Sequence, residues 1–200
     1  MSIKIYISSD PVKLYKKLSE YSKTATVEAE YGDICVEGTE ITLAHHGSRW
    51  ANPAPCAHKN EKIDIEVIGL SHFDLDSLGG VAALLGIKPI DPIFWNLAAF
   101  IDVNGVHKLK NWEDHISKTV WPSKVKATVE KLYSWYAWSK NNRKYPPRDG
   151  SVEDVTKFVM SAIDIITKIC GKDKDLEPKD VLWVFLEMES YLSLNIVLLF

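Results

Sequence analysis

The stretch KIDIEVIGLSHFDLDSLGGVAALLG, residues 62–86, decides the fold. Its first part is a mostly apolar run of the kind that forms a buried strand inside a parallel or mixed sheet. The run from Ser77 onward has helical texture and stops at Gly86, a residue suited to end a helix. A strand, an acidic loop and a helix in this order are typical of α/β folds, so the sequence predicts an α/β fold with functional loops at its strand ends.

The rest of the chain divides by texture near residue 110. Before this point, short β-leaning runs alternate with turn residues: IKIYI, ATVEAEYG, DICVEG and TEITLAHHG, with a short amphipathic helix in PVKLYKKLSEYS. After it, three helices are predicted, at 124–138, 151–171 and 177–192, with Ser151 capping the second. We expect an α/β metal-binding core at 1–110 and an α-helical region at 111–200 that packs on it within one compact domain.

Composition limits the range of partners. The chain has 200 residues and a net charge of −3, which does not favour extended duplex nucleic acid or an anionic membrane surface. Its three cysteines show no CxxC spacing, which fits a reducing compartment. No signal peptide is recognisable, and the terminal NIVLLF is too short to span a membrane. We therefore expect a cytoplasmic protein that acts on a small molecule or short nucleotide. The sequence is compatible with a monomer and with an oligomer.

The segment HFDLD places three side chains that can bind metal at alternate positions, namely His72, Asp74 and Asp76. If the segment stays extended, these side chains point to the same side. Three polar groups facing one way after a buried strand are costly unless something pairs them, and a divalent cation would do so. The structural alternative is a polar cluster in which Asp76 caps the following helix.

Two further loops carry similar residues. His45 and His46 follow the apolar run TEITLA, and Asp102 and His107 follow IFWNLAAFIDV, which we interpret as a second buried strand. Parallel strands end on the same side of a sheet, so these loops are expected to meet the HFDLD loop. The alternative makes Asp102 a turn residue bonded to its own backbone. The predicted metal ligands are therefore His45, His46, His72, Asp74, Asp76, Asp102 and His107.

The aromatic residues of the helical half have a simpler interpretation. Tyr133, Trp135, Tyr136 and Trp138 lie at helical spacing, which indicates a helix that is partly packed and partly at an edge. Stacking on a base or sugar is the functional alternative. A non-catalytic, metal-stabilised binding module built on this aromatic helix therefore stays open beside an enzyme.

These motifs resemble those of the DHH phosphoesterase superfamily. LSHFDLDSLGGVAALLG resembles the first metal-binding signature of that superfamily, TLAHHGS its DHH motif, and EYGDICVEG the branch that contains a mitochondrial exonuclease. Ala44 stands where the motif has aspartate, and the HH element precedes HFDLD, so the resemblance implies a distant, permuted relative. It implies a two-manganese phosphoesterase with His72, Asp74, Asp76, His45, His46 and Asp102 as ligands.

A second resemblance concerns the same residues. SHFDLDSLGGVAALL is also similar to the metallo-β-lactamase signature SHxDxDHxGG, with Ser77 in place of the second-metal histidine. This resemblance implies a zinc hydrolase that acts on an ester or amide.

Both families use a metal-activated water against a phosphoryl or acyl centre. In such a reaction Asp76 or His46 could relay the proton, and Arg49 could neutralise an anionic substrate. The sequence therefore predicts a metal-dependent hydrolase, with phosphoesters favoured and one or two Mn²⁺ or Zn²⁺ ions as the cofactor.

Overall fold

The computed structural model describes residues 3–142 and 149–171. Within them the strands are Lys4–Ile7 (β1), Thr24–Val27 (β2), Glu30–Tyr31 (β3), Ile34–Cys35 (β4), Ile41–Leu43 (β5) and Val67–Leu70 (β6). The α-helices are Pro11–Leu18 (α1), Leu75–Leu84 (α2), Pro92–Asn104 (α3), Leu109–Ile116 (α4), Pro122–Asn141 (α5) and Val152–Gly171 (α6). The predicted α/β class is confirmed, and α5 and α6 lie in the helical region expected after residue 110.

The main sheet has four parallel strands in the order β1-β6-β2-β5. Its register places Val27, the last residue of β2, opposite both Leu43 of β5 and Leu70 of β6. These three strands therefore end at the same level, on one edge of the sheet. The short antiparallel pair β3-β4 follows β2 as a separate hairpin.

Both faces of the sheet are covered, which explains why β2 and β6 are buried along their whole length. On one face α1 packs closely: a Cβ at Gly69 of β6 would lie 2.9 Å from a Leu14 methyl carbon. Glycine is therefore required there for the close approach of the helix. On the other face, side chains from β1, β2 and β6 join a large apolar cluster with α2, α3, α5 and α6.

The prediction of a second buried strand is wrong, because residues 92–104 form the helix α3. Asp91 caps this helix by accepting a hydrogen bond from the amide of Phe94, and Pro92 occupies its first turn, where proline is favoured. The apolar run has no alternation because the helix is deeply packed, with buried residues on more than one side.

The predicted cap of α6 is confirmed, because the Ser151 hydroxyl accepts a hydrogen bond from the amide of Asp154. The helix predicted at 177–192 lies outside the described residues.

Candidate metal centre

Seven carboxylate and imidazole side chains meet beyond the carboxyl ends of β2, β5 and β6. They are linked by nitrogen–oxygen approaches of 3.0 to 3.7 Å and comprise Glu28, His45, His46, His72, Asp74, Asp76 and Asp102. The three strands end side by side, so the residues that follow them are brought together although they are far apart in sequence. The edge of the sheet thus collects the site, as expected for parallel strands.

Glu28 lies at the centre of this group and directly follows β2. Its side chain is fully buried, and its backbone has φ of +52°, a left-handed conformation that is uncommon for a residue with a side chain. The Glu28 amide donates to the carbonyl of Leu43, and its carbonyl accepts from the amide of Ser71, so both neighbouring strands hold this conformation. Strained residues of this kind cluster at functional sites.

The two carboxylate oxygens of Glu28 face different histidines. Oε1 lies 3.2 Å from Nε2 of His45, and Oε2 lies 3.0 Å from Nε2 of His46 and 3.7 Å from Nε2 of His72. Burial raises the pKa of Glu28, because its charged form loses water. Glu28 therefore joins an inner group, around His45, to an outer group, around His46 and His72.

The inner group consists of His45, Asp76 and Asp102 together with Oε1 of Glu28. Nε2 of His45 lies 3.2 Å from Oδ2 of Asp76 and 3.1 Å from Oδ2 of Asp102. The closeness of Asp102, then of Asp76 and Glu28, raises the pKa of His45 to about 12. One imidazole N–H can point to only one acceptor, so a proton on His45 cannot satisfy three carboxylates at once.

The facing atoms of the inner group have no hydrogen-bond partner within the part of the chain that the structure describes. These atoms are Oε1 of Glu28, Nε2 of His45, Oδ2 of Asp76 and Oδ2 of Asp102, all buried among the described residues. Buried polar atoms are nearly always satisfied, so a set of unsatisfied atoms that face one another needs an explanation. A cation held among these atoms would supply it, and the ligand atoms of His45, Asp76 and Asp102 lie within 4.8 Å of one another.

The outer group is more open to solvent. The side chain of His46 is 50% exposed, that of His72 34% and that of Asp74 36%, whereas Glu28 is fully buried. Nε2 of His72 lies 3.3 Å from Oδ2 of Asp74, and Nδ1 of His72 is hydrogen-bonded to the hydroxyl of Ser71. A partner on one ring nitrogen fixes the orientation of the other, as is usual for histidines that bind metal.

The segment HFDLD does not stay extended throughout, because its last two residues belong to α2. The strand β6 ends at Leu70, and Asp74 is the N-cap of α2, in a capping box with Ser77. The cap is thus Asp74, whereas the sequence suggested Asp76. Asp76 lies in the first turn of α2, and the helix turns its side chain toward the inner group.

Asp102 joins the site from α3, whereas the predicted residues His107 and Arg49 do not join it. The side chain of His107 is exposed in the short turn Val106–Lys108, and it belongs to neither group. The Arg49 guanidinium is paired with Glu37 at 2.7 Å, and it makes no described contact with the seven side chains. The structure therefore brings together six of the seven predicted ligands.

Sequence reasoning missed Glu28 and the neighbouring Glu30. Oε1 of Glu30 accepts a hydrogen bond from the backbone amide of His46 at 2.7 Å, which fixes the loop after β5. Glu28 directly follows the run TATV of β2, and His45 and His72 each stand two residues after the end of their strands. The available signal was therefore a charged residue just beyond a strand end.

The spacing and charge of the seven side chains fit divalent cations. Metal–ligand bonds of about 2.0–2.2 Å place neighbouring ligand atoms roughly 3.0–3.5 Å apart, close to the distances in the inner group. Two sets of three ligands have atoms within 4.8 Å of one another: Glu28, His45 and His46, and His45, Asp76 and Asp102. The site contains four carboxylates, and all their described ion pairs are to imidazoles. These carboxylates leave negative charge that a bound cation would balance.

Comparison of the chain with known protein families, with curated proteins and with solved structures finds no match. Among the described residues, none of the helices combines the length and the apolar character needed to cross a membrane.

Proposed function

We propose that this protein is a divalent-metal-dependent hydrolase, with a phosphoester of a nucleotide or small metabolite as the favoured substrate. The observation that carries the proposal is the position of Glu28. It is fully buried, it is held in a left-handed conformation, and its two oxygens face the inner and outer groups separately. A carboxylate in this position can bridge two cations.

The ligand types support Mn²⁺ or Zn²⁺ as the cofactor. Carboxylates favour manganese, imidazoles favour zinc, and this site mixes four of the former with three of the latter. Cations bound in such sites supply Lewis-acid activation of water and substrate, and pairs of them occur in phosphatases and nucleases. The resemblance to the DHH phosphoesterases points to the same chemistry.

The two groups would have different tasks. In the inner group, His45 and Asp76 are buried and tightly enclosed, which suits permanent retention of a cation. In the outer group, the half-exposed His46 and His72 are accessible to substrate. We assign proton transfer to His46, because its side chain is half-exposed, whereas Asp76 is buried and its Oδ1 accepts a hydrogen bond from the amide of Cys56.

Substitution of Glu28 by glutamine tests the proposal, because it keeps the size of the side chain and removes the charge. The control is Glu40→Gln, the same change at an exposed position. Metal content of each purified protein is measured, followed by turnover of phosphodiester, phosphomonoester and carboxylic ester substrates with Mn²⁺ and with Zn²⁺. We expect metal binding and phosphoester turnover in the wild type and the control, and loss of both in the Glu28 variant.

The other outcomes are distinct. Metal binding without turnover of any substrate would favour the non-catalytic binding module, and turnover of carboxylic esters alone would favour the zinc hydrolase alternative. A wild-type protein that binds neither cation would refute the proposal.

A further inference from the structure

Asp76 divides its two oxygens between the metal centre and a separate segment of the chain. Oδ2 faces His45, and Oδ1 accepts a buried hydrogen bond of 2.8 Å from the backbone amide of Cys56. Cys56 belongs to the short 3₁₀ turn Pro55–Ala57, which is packed tightly on α2. A Cβ at Gly79 of α2 would lie only 2.4 Å from the Cβ of Cys56. The position of this turn therefore determines how Asp76 is held.

Lys88 holds the turn from the other side. Its ammonium group donates hydrogen bonds to the carbonyl of Cys56, at 2.9 Å, and to the carbonyl of His58. These carbonyls lie at the end of the 3₁₀ turn, where backbone acceptors lack partners within the turn. The same ammonium group lies over the ring of Trp95, 5.5 Å from its centroid.

The backbone of Lys88 is itself fixed by Asn60. The Asn60 side chain accepts a hydrogen bond from the Lys88 amide and donates one to the Lys88 carbonyl, at 2.8 and 2.9 Å. Lys88 is half-buried, and its positive charge is attracted to the carboxylate of Asp76. A lysine side chain loses substantial entropy when it is ordered, and these contacts offset that loss.

We infer that Lys88 is a positioning residue of the metal centre, which holds the Cys56 amide on Asp76 and so keeps Oδ2 of Asp76 aimed at the inner group. This inference rests on the proposed function, because it concerns the affinity of the same site for metal. Partners that orient the ligands of a metal site typically contribute a factor of about 10–100 to metal affinity. Lys88 never contacts the cation in this assignment.

The test compares four proteins with the wild type. Lys88→Met keeps an unbranched side chain of nearly the same length and removes its hydrogen bonds and charge, and Lys88→Arg restores a cationic donor. Lys16→Met is the matched control at an exposed position of α1. Asn60→Ala loosens the Lys88 backbone without changing the lysine, so it keeps the test valid if Lys88→Met does not fold. Mn²⁺ affinity is measured by titration with EPR detection of free Mn²⁺, beside the melting temperature of each metal-free protein.

We expect Lys88→Met to weaken Mn²⁺ binding about 10- to 100-fold. Asn60→Ala should weaken it less, Lys88→Arg should recover most of the affinity, and Lys16→Met should match the wild type. If Lys88→Met, or Asn60→Ala where the former is unfolded, binds Mn²⁺ as tightly as the wild type, the inference is overturned. A lower melting temperature with unchanged affinity has the same meaning, because it makes Lys88 merely structural. If the wild type binds Zn²⁺ but not Mn²⁺, the same comparison is made with Zn²⁺. Failure of the wild type to bind either cation would instead refute the proposed function and remove the basis of this inference.

Discussion

The Asp74 carboxylate caps α2 with one oxygen and faces His72 with the other, and a single substitution separates these two roles. Its Oδ1 accepts a hydrogen bond from the amide of Ser77 as the cap of α2, and its Oδ2 faces Nε2 of His72. Asparagine caps helices as well as aspartate does, but it lacks the negative charge that a cation requires. We therefore expect Asp74→Asn to keep wild-type stability and to lose metal affinity by roughly tenfold or more, since even outer partners of metal sites contribute this much.

The measurement for Asp74→Asn joins a metal titration to thermal unfolding of the metal-free protein. Asp10→Asn is a closely matched control, because Asp10 caps α1 through its side chain and is not among the seven side chains of the metal centre. Asp74→Ala should in addition lose about 1 kcal/mol of stability through the missing cap. An asparagine variant with unchanged metal affinity would leave Asp74 with a structural role only.

At the scale of single residues, the sequence predicted those site residues that stand in a recognisable local pattern. HFDLD and HH are conspicuous because histidines are few, six in the whole chain. Glu28 is one of 27 acidic residues, and only the pairing of β2 between β5 and β6 makes it central. Strand order is a non-local property, which is why the sequence did not reveal this residue.

Among the secondary-structure elements, α3 shows where the sequence pattern is ambiguous. A continuous apolar run can be a buried strand or a buried helix, and periodicity alone does not distinguish them. The length of α3, at 13 residues, and the Asp91–Pro92 start are the features that indicate a helix. The prediction of Asp102 as a ligand assumed a strand, yet Asp102 reaches the same group of side chains from the last turn of α3.

The close packing of α2 on the turn Pro55–Ala57 leads to a prediction for Gly79. Alanine there would gain about 1 kcal/mol in helix propensity, but its Cβ would meet Cys56 at 2.4 Å and the Trp95 ring at 2.8 Å. Overpacking of this kind costs about 1–3 kcal/mol, so we expect a net loss of stability. We also expect weaker metal binding, because the turn carries the amide that holds Asp76.

Urea unfolding and metal titration of Gly79→Ala test this expectation. Gly171→Ala is the control, because a Cβ at Gly171 meets no heavy atom of the described residues within 4 Å. Its stability should equal or slightly exceed that of the wild type. A stabilised Gly79→Ala protein would mean that the turn and α2 are not in tight contact.

On the scale of the whole molecule, the helical region and the sheet share one apolar core. Ile5 and Ile7 of β1 belong to the same buried cluster as Val155, Val159 and Ile166 of α6. The hydroxyl of Thr156 in α6 also accepts a hydrogen bond of 2.8 Å from the amide of Ile5. The change of texture near residue 110 therefore does not coincide with a break in the core.

The site is connected to the helical region through Phe73, which lies between His72 and Asp74 in sequence. The Phe73 ring packs on Trp135 of α5 and on Phe158 of α6, with centroids 6.3 and 5.1 Å apart. Metal bound at the sheet edge should therefore stabilise the helices together with the sheet. A ligand that binds only the folded protein stabilises it by about 2.7 kcal/mol at a concentration of 100 times its Kd.

We accordingly expect a single unfolding transition, with the same midpoint temperature by far-ultraviolet circular dichroism and by tryptophan fluorescence. Mn²⁺ should raise this midpoint temperature, and EDTA should lower it again. One cooperative transition is usual for a core of this size without internal breaks. Glu28→Gln serves as the control, since it should unfold in one step and show little response to Mn²⁺. Two separate transitions would contradict the shared core. An Mn²⁺ effect on only one of the two signals would contradict it as well, because metal at the edge of β2, β5 and β6 would then stabilise the sheet without the helices that pack on Phe73.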